Sequence, residues 1–499
     1  MGKLTIFSFF GKISLFLLFI QGYSTIEDSF KGTASFRPAA AVSGRFCLSK
    51  QICPRKAVIF FMRIAFYTLG CKVNQYETQI LEQLFVQRGY TLAPPDGEAE
   101  VYLVNSCTVT ASGDQKTRQM LRRFKRRSPQ AVTVLTGCYP QAFPEQAARL
   151  EEADLVTGTS ERSRIPELVE QFLATGERIV AVKAHRPREG FESMRADGFL
   201  ERTRAFVKIE DGCDRYCAYC IIPTARGPVR SKPLEALVEE VDALAKKGYR
   251  EVVLSGINLS SYGRELGLRL VDAVLAVCRR TGVERVRLGS LEPELLTRED
   301  IQQLAGEKKF CPQFHLSLQS GCDATLKRMN RRYTSAEYME IVDNIRKSFA
   351  NPSVTTDIMV GFPGETEEEF SQSLEFARAV GFAKVHVFAY SRRPGTKAAD
   401  MPDQLPNRIK EERSARMIQL CEEGRDRFLR SQAGRVEQVL FESVLPDGSW
   451  EGYTFNYTPV RVRSDEKLQG CCRAVRLAAE QDGKEEFCRG ELLPNRLSL

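Results

Sequence analysis

From position 62 onward the chain alternates two patterns. Short runs that are apolar almost throughout, such as VYLVNS (101–106) and AVTVLTG (131–137), are separated by longer segments in which apolar residues recur every three or four positions. The first pattern suits strands buried on both faces and the second amphipathic helices; their alternation predicts a parallel sheet with helical crossovers. Three such runs open the region: RIAFYTLG ends before Cys71, VYLVNS before Cys107 and AVTVLTG before Cys138. Helices are predicted between them over 77–88 and 115–127. Right-handed crossovers put all carboxyl ends of parallel strands on one edge, where ligands bind, so the three cysteines are predicted to converge. The small or polar pairs before them (Leu-Gly, Asn-Ser, Thr-Gly) let backbone approach a ligand closely.

The alternation resumes after a polar stretch. AFVKIE (205–210) is followed by strand-like EVVLSG (251–256), VRLGS (286–290), FHLSLQS (314–320), VTTDIMVG (354–361) and KVHVFAY (384–390), with helical patterns over 233–247, 270–280, 297–305, 336–348 and 367–380 between them. Six β/α units predict a partial barrel. Polar and glycine residues gather where its strands end: Ser255, Gly256, Ser290, Glu292, Gln319, Gly361 and Tyr390. Barrel ligands bind at that end. In GFPGET (361–366), Glu365 reads equally as a ligand contact or as a helix cap beside Thr366.

After a charged helical stretch, 407–430, the pattern turns to short strands and turns, which predicts a small β-barrel. The single Trp, Trp450, sits beside the turn PDGS, followed by Tyr453, Phe455 and Tyr457 at period two and by Arg461. Such an aromatic face either fills the barrel or stacks on RNA bases. The fold class is therefore α/β, with an open parallel α/β domain (62–177), a linker (178–199), a partial (β/α)6 barrel (200–430) and a C-terminal β-barrel (433–499). Residues 1–61 read differently. Their apolar stretch LTIFSFFGKISLFLLFI is short and interrupted by Gly11 and Lys12, so translated upstream sequence before a start at Met62 is preferred over an anchor, a signal or an extra element.

Composition narrows the chemistry. The 499 residues include 15 Cys but only three His (His185, His315, His386), which argues against His-rich zinc sites and points to sulfur. An odd cysteine count in a large chain fits a reducing cytoplasm, where clustered thiols mean metal or catalysis. The net charge of +8 permits a polyanionic partner without demanding one. The basic residues concentrate in RQMLRRFKRR (118–127), which holds Arg118, Arg122, Arg123 and Arg126 on the helix after the second cysteine. That face is either solvated or a phosphate contact.

The most specific signal is EDGCDRYCAYCIIP (210–223). Cys213, Cys217 and Cys220 stand at C-x3-C-x2-C, and no Cys or His follows until Cys278. Three thiolates in eight residues need a cation and lack zinc's fourth ligand, which suits a four-iron cluster with one open iron. The same argument applies to Cys71, Cys107 and Cys138. Arg204, Arg226, Arg230 and Lys232 flank this loop, either to hold a cofactor or to close interdomain ion pairs.

The C-x3-C-x2-C motif, with Tyr219 before its last Cys, resembles the radical S-adenosylmethionine (SAM) superfamily, and the upstream cysteine domain narrows the resemblance to the methylthiotransferases. It extends from Met62 to the C-terminus. It implies two 4Fe-4S clusters, an auxiliary one at Cys71, Cys107 and Cys138 and a SAM-chelating one at Cys213, Cys217 and Cys220. It also implies SAM contacts from Tyr219 and the strand-end residues, a TRAM-like RNA-binding barrel, a tRNA substrate, a reductant protein, a monomeric state and a cytoplasmic, membrane-free location. Three branches differ in substrate: isopentenyladenosine in tRNA, threonylcarbamoyladenosine in tRNA, and an aspartate of a ribosomal protein. TLGCKVNQYET (68–78), FHLSLQSGCDATLKRMNRRYT (314–334) and EGYTFNYTPVRV (451–462) resemble the threonylcarbamoyladenosine branch most. That branch replaces the C2 hydrogen of the adenosine at position 37, beside the anticodon, with a methylthio group. A two-cluster electron carrier and a zinc RNA-binding factor are the rival classes.

Overall fold

The computed structural model describes residues 62–195, 198, 203–478 and 486–494. The preferences stated for 1–61 lie outside the described residues. The first region is a six-stranded, all-parallel sheet in the order β2-β1-β3-β4-β5-β6, built from β1 (Arg63–Thr68), β2 (Thr91–Ala93), β3 (Val101–Ser106), β4 (Val132–Gly137), β5 (Leu155–Thr157) and β6 (Ile179–Ala181). Strands that point alternate side chains to opposite faces, with helices on both, bury everything. In β3, Val101 and Leu103 join Leu81 and Phe85 of helix α1 (Lys72–Gln87) on one face. Tyr102 and Val104 join Leu121 and Phe124 of helix α2 (Ala111–Arg127) on the other. Three strands escaped the sequence pattern because three residues are too few to show a period. One of them, β6, pairs with β5 and carries the sheet into the segment expected to be a linker.

The central region supplies the predicted six β/α units. Strands β7 (Arg204–Lys208), β10 (Glu251–Ser255) and β11 (Arg285–Leu288) form one parallel sheet; β12 (Ser290–Leu291), β13 (Gln313–Leu316), β14 (Ser353–Val360) and β15 (Lys384–Ala389) form a second. Only Gly289 separates β11 from β12, so the chain steps from one sheet into the next. Alternation sets the two faces. In β14, Val354, Ile358 and Val360 pack into the helical core, and Thr355, Asp357 and Met359 are left half-buried on the concave side. A short antiparallel pair, β8 (Glu210–Asp211) with β9 (Arg230–Ser231), closes the base of the second cysteine loop.

A 25-residue helix, Asn407–Ser431, leads to a closed five-stranded barrel in the order β16-β17-β18-β20-β19 (Val436–Val444, Ser449–Tyr453, Pro459–Arg463, Cys488–Leu492, Cys472–Leu477). It docks on the amino-terminal ends of β7, β10 and β11. Arg285 donates to Tyr453 O at 3.0 Å and Gln438 O at 2.8 Å, and Arg287 to Phe455 O at 2.9 Å. Among the described residues no helix is long and apolar enough to cross a membrane.

Candidate functional site

The register of the first sheet pairs Thr68 with Asn105 and Ser106 with Gly137, so the turns after β1, β3 and β4 leave one edge side by side. Cys71, Cys107 and Cys138 begin there. The fit is close: Gly70 has φ +113°, and a Cβ on it would lie 3.0 Å from Cys107 Cβ. Asn74, in the first turn of α1, ties the turns together. Its Nδ2 donates to Leu69 O and Ser106 O at 3.0 Å each, and its Oδ1 accepts from Cys71 Sγ at 3.5 Å. Burial pushes the Cys107 thiol up to about 12, and Cys138 adds to the shift. Cys138 is raised by burial too, with Cys71 close enough to contribute and Arg226 opposing. Three ionised sulfurs at this edge require a compensating cation.

The second triad sits in a wound loop. Cys213 N donates to Gly227 O at 3.0 Å and Cys220 N to Cys217 O at 2.9 Å. Gly212, at φ +91°, admits no side chain, since a Cβ would lie 1.9 Å from Pro228 O. Met329 O accepts from Ala218 N at 2.9 Å, and Ala218 O from Ala398 N at 2.7 Å, which pins the loop over the strand ends. Burial pushes Cys220 up to about 12, with Cys217 adding, and raises Cys213 as well. Buried Arg331 donates to Cys217 Sγ at 3.3 Å, to Glu292 Oε1 at 3.2 Å and to Ser317 O at 2.9 Å.

A buried charge network joins the triads' domains. Arg226, six residues after Cys220 and fully buried, donates through Nε to Cys138 Sγ at 3.3 Å, through Nη1 to Glu77 Oε1 at 2.6 Å and through Nη2 to Asn74 Oδ1 at 2.7 Å. Glu77 Oε1 also meets Lys208 at 2.8 Å and Arg162 at 3.0 Å. Asp211 takes Lys208 at 2.6 Å and Arg230 at 3.2 Å. Burial would raise Glu77, but Arg162, Arg226 and Lys208 outweigh it and hold the carboxyl at about 2. Of the two roles open to Arg226, Arg230 and Lys232, the structure shows ion pairing; Lys232 pairs with Glu240 and meets the Tyr76 hydroxyl at 3.2 Å.

The concave side of the barrel opens beside this network. Lys72, the residue after Cys71, holds its ammonium 5.9 Å from the centre of the Phe206 ring on β7. Opposite, His315 lies 3.3 Å from Asp357, and its ring centre is 6.0 Å from that of His386. Burial among protein atoms, with Arg204 and Arg287 nearby, pushes Lys72 down to about 8.

Among the described residues no three His, Cys, Asp or Glu side chains form a group for a single metal ion. A four-iron cluster instead takes each thiolate on a different iron. The donor sets fit such a group: three sulfurs each, close-approaching backbone at Gly70 and Gly212, and a buried guanidinium on one sulfur of each set.

Two family models match, the radical SAM superfamily over residues 207–377 and the uncharacterized protein family UPF0004 over 63–158. The threonylcarbamoyladenosine tRNA methylthiotransferase MtaB of Aquifex aeolicus is 40% identical over 382 residues, 76% of this chain and 92% of the relative. The same-named protein of Bacillus subtilis is 36% identical over 82% of this chain and 92% of its own. The chain belongs to the radical SAM methylthiotransferase family. A tRNA-2-methylthio-N(6)-dimethylallyladenosine synthase of Symbiobacterium thermophilum is 34% identical over 88% of this chain and 96% of its own. Among solved structures, the radical S-adenosylmethionine methyltransferase TsrM of Kitasatospora setae superposes with a TM-score of 0.51 over 68% of this chain and 75% of that one; at 14% identity this speaks to the fold alone. The family uses SAM and a 4Fe-4S cluster.

Within this methylthiotransferase the predicted cofactor residues divide. Tyr219 packs edge-on against Phe362 at 6.4 Å, Glu292 is held by Arg331, Ser290 is exposed at a strand end, and Gln319 turns at φ +67°. Ser255, Gly256, Gly361 and Glu365 are engaged by neighbouring protein groups. Ser255 is buried, and a Cβ on Gly256 would lie 2.6 Å from Glu210 Oε2. Gly361 is covered by Lys410, and Glu365 Oε2 accepts from Gly361 N and Arg413, both at 2.7 Å.

The predicted RNA residues divide as well. Arg123 and Arg126 are exposed; Arg122 pairs with Glu152 at 2.9 Å, and Arg118 lies 5.9 Å over the Tyr139 ring. Tyr453, half-buried, stacks on Tyr457 at 4.6 Å beneath Arg204, where the barrel docks. Trp450 packs on the barrel core, and Arg461 pairs with Glu451 at 3.0 Å and covers Phe487. His185 bridges Glu189 at 2.8 Å and Thr159 at 3.0 Å against Gly227 of the second loop. Asn74, Glu77 and Arg331 were not among the residues expected at the site; they stand in mixed polar stretches, CKVNQYET and KRMNRRYT, with nothing local to single them out.

Proposed function

We propose that this methylthiotransferase acts on tRNA, replacing the C2 hydrogen of N6-threonylcarbamoyladenosine at position 37 with a methylthio group, and does so with two four-iron clusters. Cys71, Cys107 and Cys138 would hold the auxiliary cluster, and Cys213, Cys217 and Cys220 the cluster that chelates SAM. When bound, these groups would supply the radical that removes the hydrogen and the sulfur that replaces it, the methyl group coming from a second SAM and the electrons from a reductant protein. The chain's residues do the rest. Arg226 and Arg331 screen one sulfur of each triad, and Tyr219, Ser290, Glu292 and Gln319 line the SAM side of the loop. The observation that carries this reading is the presence of two separate three-thiol sets, each without a fourth ligand among the described residues, in domains locked together by Arg226 and Glu77.

The choice of nucleoside is supported by the threonylcarbamoyladenosine names of relatives at 40% and 36% identity. Relatives at 34% named for dimethylallyladenosine support a second reading, isopentenyladenosine. Mass spectrometry of tRNA nucleosides from a strain lacking the gene separates them. Loss of 2-methylthio-threonylcarbamoyladenosine is expected; its persistence alongside loss of the isopentenyl product would overturn the reading. Reconstituted protein should carry about eight irons with matching sulfide, four per cluster.

A further inference from the structure

Most cations at the domain interface have an acid. Arg162, Lys208 and Arg226 share Glu77, Arg230 meets Asp211, Lys232 meets Glu240, and Arg285 and Arg287 meet Glu251. Lys72 differs. Among the described residues no carboxylate lies within 4.0 Å of its ammonium, although it projects from beside Cys71 across the domain boundary to the Phe206 ring, 5.9 Å away. The acids on the nearby strands are engaged elsewhere: Glu251 faces Arg204, Arg285 and Arg287, and Asp357 lies 3.3 Å from His315. The concave side therefore presents an ammonium that is in no close ion pair among the described residues, with the Cys71 sulfur and Glu251 acting on it only at a distance, next to the edge where the first triad stands. Lys72 is exposed, so its ammonium is open to an incoming anion.

We propose that Lys72 is the specificity-determining residue that receives the carboxylate of the N6-threonylcarbamoyl group. This rests on the threonylcarbamoyladenosine reading above. The candidate nucleosides differ in this respect, since threonylcarbamoyl ends in a carboxylate and isopentenyl is an uncharged hydrocarbon. An ammonium rewards the first and must lose hydration against the second. The Phe206 ring, 5.9 Å from the ammonium, helps hold the charge in place through its face.

The test uses the reconstituted full chain and three anticodon stem-loops bearing threonylcarbamoyladenosine, its carboxylate methyl ester, or isopentenyladenosine. Wild-type protein is expected to prefer acid over ester by at least about tenfold in kcat/KM, through KM. Lys72→Gln brings that ratio near one by raising KM for the acid, and Lys72→Arg restores it. Equilibrium binding of the acid and ester stem-loops to the same proteins gives the ratio without turnover, so a weakened neighbouring site does not obscure it. A Lys72→Gln protein that keeps the tenfold preference overturns the role of Lys72 and leaves the nucleoside reading standing. A wild-type protein that modifies only the isopentenyl stem-loop overturns both.

Discussion

Arg226 Nε lies 3.3 Å from Cys138 Sγ, although one residue follows the second cysteine motif and the other ends a strand of the first sheet. The same guanidinium grips Glu77 and Asn74, so a residue of the neighbouring domain reaches the first triad. A cationic donor on one sulfur lowers the cost of gathering three thiolates, and Arg331 does the same for Cys217 at an equal 3.3 Å.

Arg226→Lys should therefore empty the first site selectively. Lysine keeps the charge but cannot span Cys138, Glu77 and Asn74 with one planar fork. Iron and acid-labile sulfide are expected to fall from about eight toward about four per chain. Arg331→Lys should cause the complementary loss. Unchanged iron in both variants would show that the guanidiniums are dispensable to the clusters.

The network also fixes a response to acid. Glu77 is held at about 2, well below the usual carboxyl range, so its stabilising contribution is full above about pH 4.5 and is lost as pH falls toward 2. Asp211, held low by Lys208, Arg226 and Arg230 against its own burial, shares the response. Glu77→Gln leaves three buried cations short of a carboxylate and should cost about 3–5 kcal/mol. Urea unfolding of the iron-free chain at a series of pH values checks both points. The variant should be weaker at neutral pH with a shallower acid decline, and a wild-type profile would remove Glu77 from the account.

The two triads predict a division of labour. Cys107→Ala should retain SAM cleavage and lose methylthiolation, whereas Cys217→Ala should lose both. Assay of 5′-deoxyadenosine alongside modified nucleoside decides it; equal loss of SAM cleavage in the two variants contradicts the assignment.

Much of this site was legible because its signals are local. VYLVNS shows a strand buried on both faces, and C-x3-C-x2-C is complete within eight residues. Glu77 was not legible, because its partners Arg162, Lys208 and Arg226 are 85, 131 and 149 positions away and only the fold brings them together. The surroundings of Tyr453 were hidden for a related reason. Period-two alternation says that an aromatic shares a face with Phe455 and Tyr457, not that Arg204, Arg285 and Arg287 of another domain cover that face.

With Tyr453 half-buried beneath Arg204, α2 is the more accessible of the two surfaces expected to meet RNA. Arg123 and Arg126 are exposed there, whereas Arg122 and Lys125 are occupied by Glu152 and Asp154 at 2.9 and 2.6 Å. Two arginines that meet phosphates each release about one counterion. The double substitution of Arg123 and Arg126 by Ala should weaken tRNA binding at low salt and reduce the slope of log affinity against log salt by about two, with iron content unchanged. Tyr453→Ala should instead loosen barrel docking, seen as a lower melting temperature, and leave the salt slope alone. Filter binding across a salt series, with melting curves on the same samples, separates the outcomes. A Tyr453→Ala protein with an altered slope and an unaltered melt would return RNA contact to the barrel.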